Sequence, residues 1–214
     1  MQWDDRASMT KIIAIEGIRG TGKSTLLNQL YDKYQGQFQR RHFPTYTTIT
    51  RLKSIGFDMT DINQVIAYNM NFVADFMSFK RELENPRYKN MTFILDRYIL
   101  SNLAHFAYDV QQIDKAGAFW YGIQKTLHTL YNDFAVAKPD LIIYLRGQGK
   151  QTEEKFDDAL YKGKEGELEW FYNTELGALR NEMKIPFHMA ESFQPNDGTL
   201  SQVETILKSY SVLV

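Results

Sequence analysis

Cysteine is missing from this 214-residue chain, and its absence excludes disulfide staples, thiolate metal sites and cysteine nucleophiles together. It fits a reducing compartment. Long apolar runs are missing as well: the longest span about six residues, against the roughly 20 that a bilayer-spanning helix needs. The opening MQWDDRASMT is polar and partly acidic, unlike a secretory signal, so a cytoplasmic location with no membrane partner is expected. Excess charge of either sign is absent too, since 25 Lys and Arg face 26 Asp and Glu for a net charge of -1. That balance excludes a chain that coats nucleic acid or an anionic membrane through its overall field. His42, His105, His128 and His188 lack metal-ligand spacing, and core or surface roles are expected for them, with His42 kept as an exception because it directly precedes Phe43-Pro44. There is no internal repeat or low-complexity tract. What remains is a composition 43% hydrophobic and 24% charged, consistent with one globular domain over residues 1–214.

Short apolar runs rich in β-branched residues at 11–16 (KIIAIE), 91–96 (MTFILD), 140–146 (DLIIYLR) and 186–190 (PFHMA) predict buried strands. A fifth strand is expected at 37–43, ended by Pro44. Helical periodicity separates them, at 23–35, 61–85, 98–108, 114–134, 165–183 and 199–209. In the 61–85 segment, Ile62, Val65, Ile66, Phe72, Val73, Phe76 and Phe79 recur at three- and four-residue steps, with Thr60 available as N-cap. Alternating strands and helices argue an α/β fold with a mainly parallel sheet. The segment 147–166 is polar and glycine-punctuated after an apolar strand, which predicts a lid.

Gly17-Ile18-Arg19-Gly20-Thr21-Gly22-Lys23-Ser24 matches G-x-x-x-x-G-K-[ST], and the match sits between a predicted strand and a predicted helix. In that setting the glycines let backbone N–H groups wrap a phosphate, and the helix N-terminus adds positive potential. Lys23 is then expected on the β/γ-phosphates and Ser24 on Mg²⁺, so ATP and Mg²⁺ are the expected cofactors, with Arg19, Gly20, Thr21 and Thr25 completing the ATP site. The competing reading is a glycine-rich turn before an ordinary helix. Asp96 ends a predicted strand and is expected beside the phosphate loop as a second metal-holding oxygen, or as a helix N-cap. The next residue, Arg97, places a cation where motor ATPases usually carry an acidic residue, and so favours phosphoryl transfer over hydrolysis. Guanine-recognition N-K-x-D is missing, which disfavours GTPase switches.

The pattern Ile15-Glu16-Gly17 into Gly22-Lys23-Ser24-Thr25, then Phe43-Pro44, then Asp96-Arg97-Tyr98 with Ser101 and Ala104, then Lys138-Pro139-Asp140-Leu141 resembles the thymidylate kinase family in order and spacing, over about residues 11 to 146. The related deoxynucleoside kinases usually carry Glu-Arg-Ser in place of Asp-Arg-Tyr. The resemblance implies a P-loop kinase fold with a five-stranded sheet flanked by helices and a LID after the fourth strand. It also implies Mg-ATP-dependent phosphorylation of a nucleotide acceptor that Arg97 touches, and, as in many members, a homodimer.

Several residues depart from that family. Arg19 stands where an acidic residue meets the sugar 3′-hydroxyl, Tyr46 stands where an Arg follows the Phe-Pro pair, and Phe76 stands where the long helix carries an acceptor-binding Arg. Arg51 or Lys80 could restore a cation there. Phe43, Tyr46, Phe72 and Phe76 offer either a base-stacking slot or core packing at i, i+4. The family's LID arginine is missing, and Arg146 is the candidate replacement. The lid lysines Lys150, Lys155, Lys162 and Lys164 stand among acidic neighbours. The leading expectation is a kinase for a pyrimidine deoxynucleotide such as dTMP. Two alternatives stay open: a kinase for a hydroxymethylated pyrimidine base in DNA, and a non-catalytic nucleotide-binding regulator. The DNA reading draws on Arg19 and on 33–57, which holds Lys33, Arg40, Arg41, Arg51 and Lys53 and no acidic residue before Asp58.

Overall fold

The computed structural model describes residues 10–56, 58, 60–114, 118–132, 136–147, 163–192 and 198–213. Strands β1 (Lys11–Glu16), β2 (Gln39–His42), β3 (Thr92–Asp96), β4 (Leu141–Arg146) and β5 (Phe187–Glu191) form one sheet in the order β2-β3-β1-β4-β5. Every neighbouring pair is parallel. Seven helices connect and cover the strands among the described residues: α1 (Lys23–Lys33), α2 (Tyr46–Ile55), α3 (Ile62–Leu83), α4 (Ile99–Ile113), α5 (Ala118–Asn132), α6 (Glu165–Ala178) and α7 (Gly198–Ser209). This is the five-stranded P-loop kinase architecture expected from the sequence. None of the described helices is long and apolar enough to cross a membrane.

Strand alternation divides the core in two. Ile12 and Ala14 of β1 pack with Phe93, Leu95, Ile142 and Tyr144 under α3, α4 and α6, whereas Ile13 and Ile15 join Ile94, Ile143 and Leu145 under α1 and α7. Both sheet faces are covered, which is why the central strands read as continuous apolar runs. Strand order reverses at β1, between β3 and β4, so the carboxyl ends of these three strands flank one crevice.

Several boundaries differ from the expected ones, each for a local reason. Asp61, not Thr60, caps α3, its side chain accepting from the Asn63 N–H at 2.9 Å. Helix α2 forms where the periodicity marks no helix: Thr45 caps it, and Asp75 of α3 accepts from the Thr45 N–H and the Thr48 hydroxyl, both at 2.8 Å. Its threonine-rich stretch has weak intrinsic helix propensity, so this tertiary anchor supports it. The 165–183 helix closes in a π turn at Leu179–Met183.

The Phe43–Pro44 peptide is cis. The Phe43 ring lies 5.3 Å from both Phe76 and Tyr98 and 5.5 Å from Phe79, in edge-on or tilted contacts. Phe76, 1% exposed, is the centre of that group and lies 4.5 Å from Tyr98. Phe76→Ala is expected to cost about 3–5 kcal/mol through lost burial and the cavity left behind, checked by the midpoint of denaturant unfolding.

Candidate active site

The turn from β1 into α1 is built for close backbone approach. Gly17, Gly20 and Gly22 have φ of 143°, 78° and 76°, values that side chains other than glycine adopt with strain. A Cβ on Gly17 would meet the Leu145 carbonyl at 2.6 Å, so glycine is what lets the loop lie against β4. Gly22 occupies the N-cap of α1 without a side-chain capping bond, which leaves first-turn N–H groups and the helix dipole for an anion. This cradle fits the phosphates of a nucleoside triphosphate.

Lys23 is buried, and its Nζ donates to the carbonyls of Gly17 and Ile18 at 2.6 and 2.5 Å. Burial, and then the charge of Arg97, holds its proton affinity well below that of an ordinary lysine, while Asp96 and Glu16 act in the opposite sense. Ser24 Oγ lies 3.3 Å from Asp96 Oδ2, because the parallel register sets Asp96 beside Ile15 at the start of the loop. Burial of Asp96 favours its neutral form, but His42, Arg97 and Lys23 outweigh that and hold its carboxyl down at about 2. An ionised carboxylate beside a hydroxyl is the hard-oxygen pair that suits Mg²⁺. The same Asp96 oxygen also meets His42 Nδ1 at 3.3 Å and an Arg40 Nη at 3.4 Å, both from β2.

Glu16 closes the site from below. Its side chain is fully buried, accepting from the Leu100 N–H at 3.1 Å and the Ser101 hydroxyl at 2.5 Å. Desolvation pushes its pKa up to about 7, with Ser101, Arg97 and Lys23 offsetting only part of the rise. Arg97 holds a left-handed backbone, φ 66°, secured by its N–H bond to the Ile15 carbonyl at 3.1 Å. Its guanidinium donates to Tyr172 Oη at 3.0 Å and to Ser101 Oγ at 3.3 Å. The glycine loop, the Ser24 and Asp96 oxygens, the Arg97 cation and the buried Glu16 carboxyl thus share one crevice.

The sequence-predicted residues divide. Gly17, Arg19, Gly20, Thr21, Gly22, Lys23, Ser24 and Thr25 form the loop and the first turn of α1, with Asp96 and Arg97 beside them. Arg146 ends β4 with an exposed side chain. Phe43 and Phe76 lie in the core, whereas Tyr46, at 83% exposure, stands apart from them at the start of α2. Together with buried Phe72 they do not form one exposed slot. The Arg51 side chain falls outside the described residues, as do residues 148–162 of the expected lid, with Lys150, Lys155 and Lys162. Of the basic stretch, the cations whose side chains are described are paired, Lys33 with Glu204 at 2.7 Å, Arg41 with Glu82 at 2.6 Å and Arg40 with Asp96. Arg40 and Tyr172 were not among the expected site residues, His42 entered only through its place before Phe43-Pro44, and Glu16 only as part of a motif. A carboxylate ending an otherwise apolar strand was the available signal for Glu16.

Comparison with known proteins agrees with this fold. Thymidylate kinase from Candida albicans is 18% identical over 96% of this chain and 94% of its own, with a TM-score of 0.66. Deoxyadenosine kinase from M. mycoides, solved with dATP bound, is 18% identical over 92% of this chain and 99% of its own, also at 0.66. Thymidylate kinase from Ehrlichia chaffeensis gives 0.58 at 18% identity, over 94% and 99%. These likenesses establish the fold, and they divide between the two kinase types. The family model that matches, over residues 13–168, is that of deoxynucleoside kinase, so the thymidylate kinase resemblance holds at the level of the wider P-loop nucleoside and nucleotide kinases. With more than half its length matched, this chain is a kinase and belongs to the deoxynucleoside kinase family.

Proposed function

We propose that this kinase transfers the γ-phosphoryl group of ATP to the 5′-hydroxyl of a deoxynucleoside. The observation that carries this reading is Glu16, a buried carboxylate with its pKa raised to about 7, beside Arg97 and the phosphate loop. A hydroxyl acceptor must lose a proton as its oxygen bonds to phosphorus, and a positioned base with a pKa near the working pH serves that need. A monophosphate acceptor is already largely ionised at neutral pH, its second pKa lying near about 6, and needs no such base. Tyr46 and Phe76, at two positions where the nucleotide kinases carry arginine, point the same way.

The acceptor oxygen bonds to the γ-phosphorus, the bond from that phosphorus to the β–γ bridging oxygen breaks, and ADP leaves. Glu16 takes the hydroxyl proton. Lys23 and the loop N–H groups hold the donor phosphates, and Arg97 orients the group in transfer. Ser24 and Asp96 would hold Mg²⁺, which when bound neutralises charge on the phosphates.

Phosphorylation of a pyrimidine deoxynucleotide, the leading expectation from sequence, is favoured by the Asp96-Arg97-Tyr98 run and forms the second reading. The DNA reading draws on the same basic stretch, of which Lys33, Arg40 and Arg41 are engaged in ion pairs within the chain. An assay with γ-labelled ATP against the four deoxynucleosides, dTMP and hydroxymethylated DNA separates them. Label on a deoxynucleoside is the expected result. Label on dTMP without label on thymidine overturns this reading for the nucleotide one, and label on DNA alone overturns both.

A further inference from the structure

Tyr172 lies in α6, outside the residues matched by the family model, yet it reaches the centre of the site. Its hydroxyl accepts from Arg97 at 3.0 Å and donates to Ser101 Oγ at 2.8 Å, and Ser101 in turn donates to Glu16 Oε2 at 2.5 Å. Each hydroxyl has one hydrogen to give. Because the guanidinium can only donate and the carboxylate, when ionised, can only accept, both hydroxyl hydrogens point one way, from Arg97 toward Glu16. The chain is therefore directional, and buried chains of this kind polarise their members cooperatively. Packing sets its geometry: the Tyr172 ring stacks on Tyr144 with centroids 5.8 Å apart and meets the His105 ring edge-on at 5.9 Å. Tyr172 and Ser101 are both buried, so water does not readily replace either hydroxyl.

We propose that Tyr172 and Ser101 are positioning residues that join Arg97 and Glu16 into one hydrogen-bonded unit, so that cation and carboxylate meet the acceptor in a fixed mutual geometry. The inference rests on the acceptor reading above, in which Glu16 and Arg97 act on the same group. Arg97 has a left-handed backbone and a long side chain with several rotamers; the two hydroxyls select one of them. Glu16 is held at both oxygens, by Leu100 N–H and by Ser101. Helix α6 thereby takes part in the site across a separation of 75 residues from Arg97 and 71 from Ser101.

Tyr172→Phe removes one oxygen and keeps the ring stack, and Ser101→Ala removes the other hydroxyl; a thermal melt of each variant beside the assay checks that it is folded. Each is expected to lower kcat about 10- to 100-fold, the scale of a small misplacement of reacting groups, while the KM for ATP stays within about twofold. The double variant should be no slower than the slower single one, because two links of one chain fail together. In parallel, ¹⁵N spectra of arginine side chains in the purified full-length protein should show the Arg97 guanidinium held in the wild type and rotationally averaged in Tyr172→Phe. Losses that multiply in the double variant, or an Arg97 signal unchanged by Tyr172→Phe, overturn the proposal. Should the wild type label no acceptor in the panel, the acceptor reading falls, and the Arg97 signal still decides the relay: averaging in the variant supports it, and retained order overturns it.

Discussion

Lys23→Ala is expected to reduce phosphoryl transfer by about 10³-fold or more, the upper end of the loss seen when one preorganised charge-stabilising donor is removed, while leaving the fold intact. Lys23 is the buried cation of the loop, its Nζ within hydrogen-bond distance of the Gly17 and Ile18 carbonyls. Negative charge gathers on the β–γ bridging oxygen and the γ-phosphoryl oxygens as the bond breaks, and an ammonium in a buried, low-dielectric loop stabilises that charge strongly. The neighbouring cation Arg97 is engaged by Tyr172 and Ser101 and cannot leave them without disturbing the acceptor side. Two opposed effects keep the stability change small. Truncation leaves the Gly17 and Ile18 carbonyls without this donor, at about 1–3 kcal/mol, but it also removes a buried ammonium whose desolvation already disfavours its charged form. Initial rates with γ-labelled ATP, alongside a thermal melt, check both halves. Activity within tenfold of the wild type would refute the assignment of the loop.

Glu16→Gln is expected to lower kcat about 10²- to 10⁴-fold, the range for loss of a general base, with the KM for ATP little changed. In the wild type the sign of the pH dependence follows from the direction of the shift. The Glu16 pKa is raised to about 7, so below that pH the carboxyl is protonated and silent as a base. The kcat/KM for the deoxynucleoside should therefore fall about tenfold per pH unit on the acid side of 7 and level off above it. The glutamine variant should lose this acid limb together with its activity. For folding the same shift works the other way: an acid with raised native pKa binds its proton more tightly in the folded state, so it disfavours the folded form as pH rises from about 4.5 through 7. Removing the carboxyl removes this desolvated charge, so the stability that the wild type loses between about pH 4.5 and 7 should not be lost in the variant. A pH–rate profile with its acid limb near 4.5 would remove Glu16 from the role of base.

Part of this site is local in sequence and part is assembled. Strands β1, β3 and β4 are buried on both faces, and such strands appear as apolar runs whatever their partners. The glycines at 17, 20 and 22 similarly mark positive φ before a helix. The carboxylate that ends β3 then comes to the loop, because parallel pairing with β1 places it there. Helix α2 was illegible for the opposite reason. Its Thr-rich stretch carries little helical preference, and the Asp75 anchor that supports it comes from 27 to 30 residues farther along the chain.

Charge shows the same division. The run of cations from Lys33 to Lys53 reads as a basic edge for a polyanion, yet Lys33 finds Glu204, Arg41 finds Glu82 and Arg40 finds Asp96. Those partners lie 171, 41 and 56 residues away. Linear charge counting cannot register them.

The sequence by itself determined the fold class, the phosphate loop with Lys23 and Ser24, and the presence of Asp96 and Arg97 at a strand end. Each of these is dictated by short-range rules: apolar runs, glycine φ preferences, and residue spacing within a single turn. Tertiary structure alone decided that Glu16 is a buried group with its pKa raised to about 7, that Tyr172 reaches Arg97 across 75 residues of chain, and that Phe43 and Phe76 lie in the core while Tyr46 stands in solvent. The reason is physical. A carboxyl group's proton affinity and an aromatic ring's exposure depend on the dielectric and the partners around them, and those surroundings are assembled from residues up to 85 positions apart.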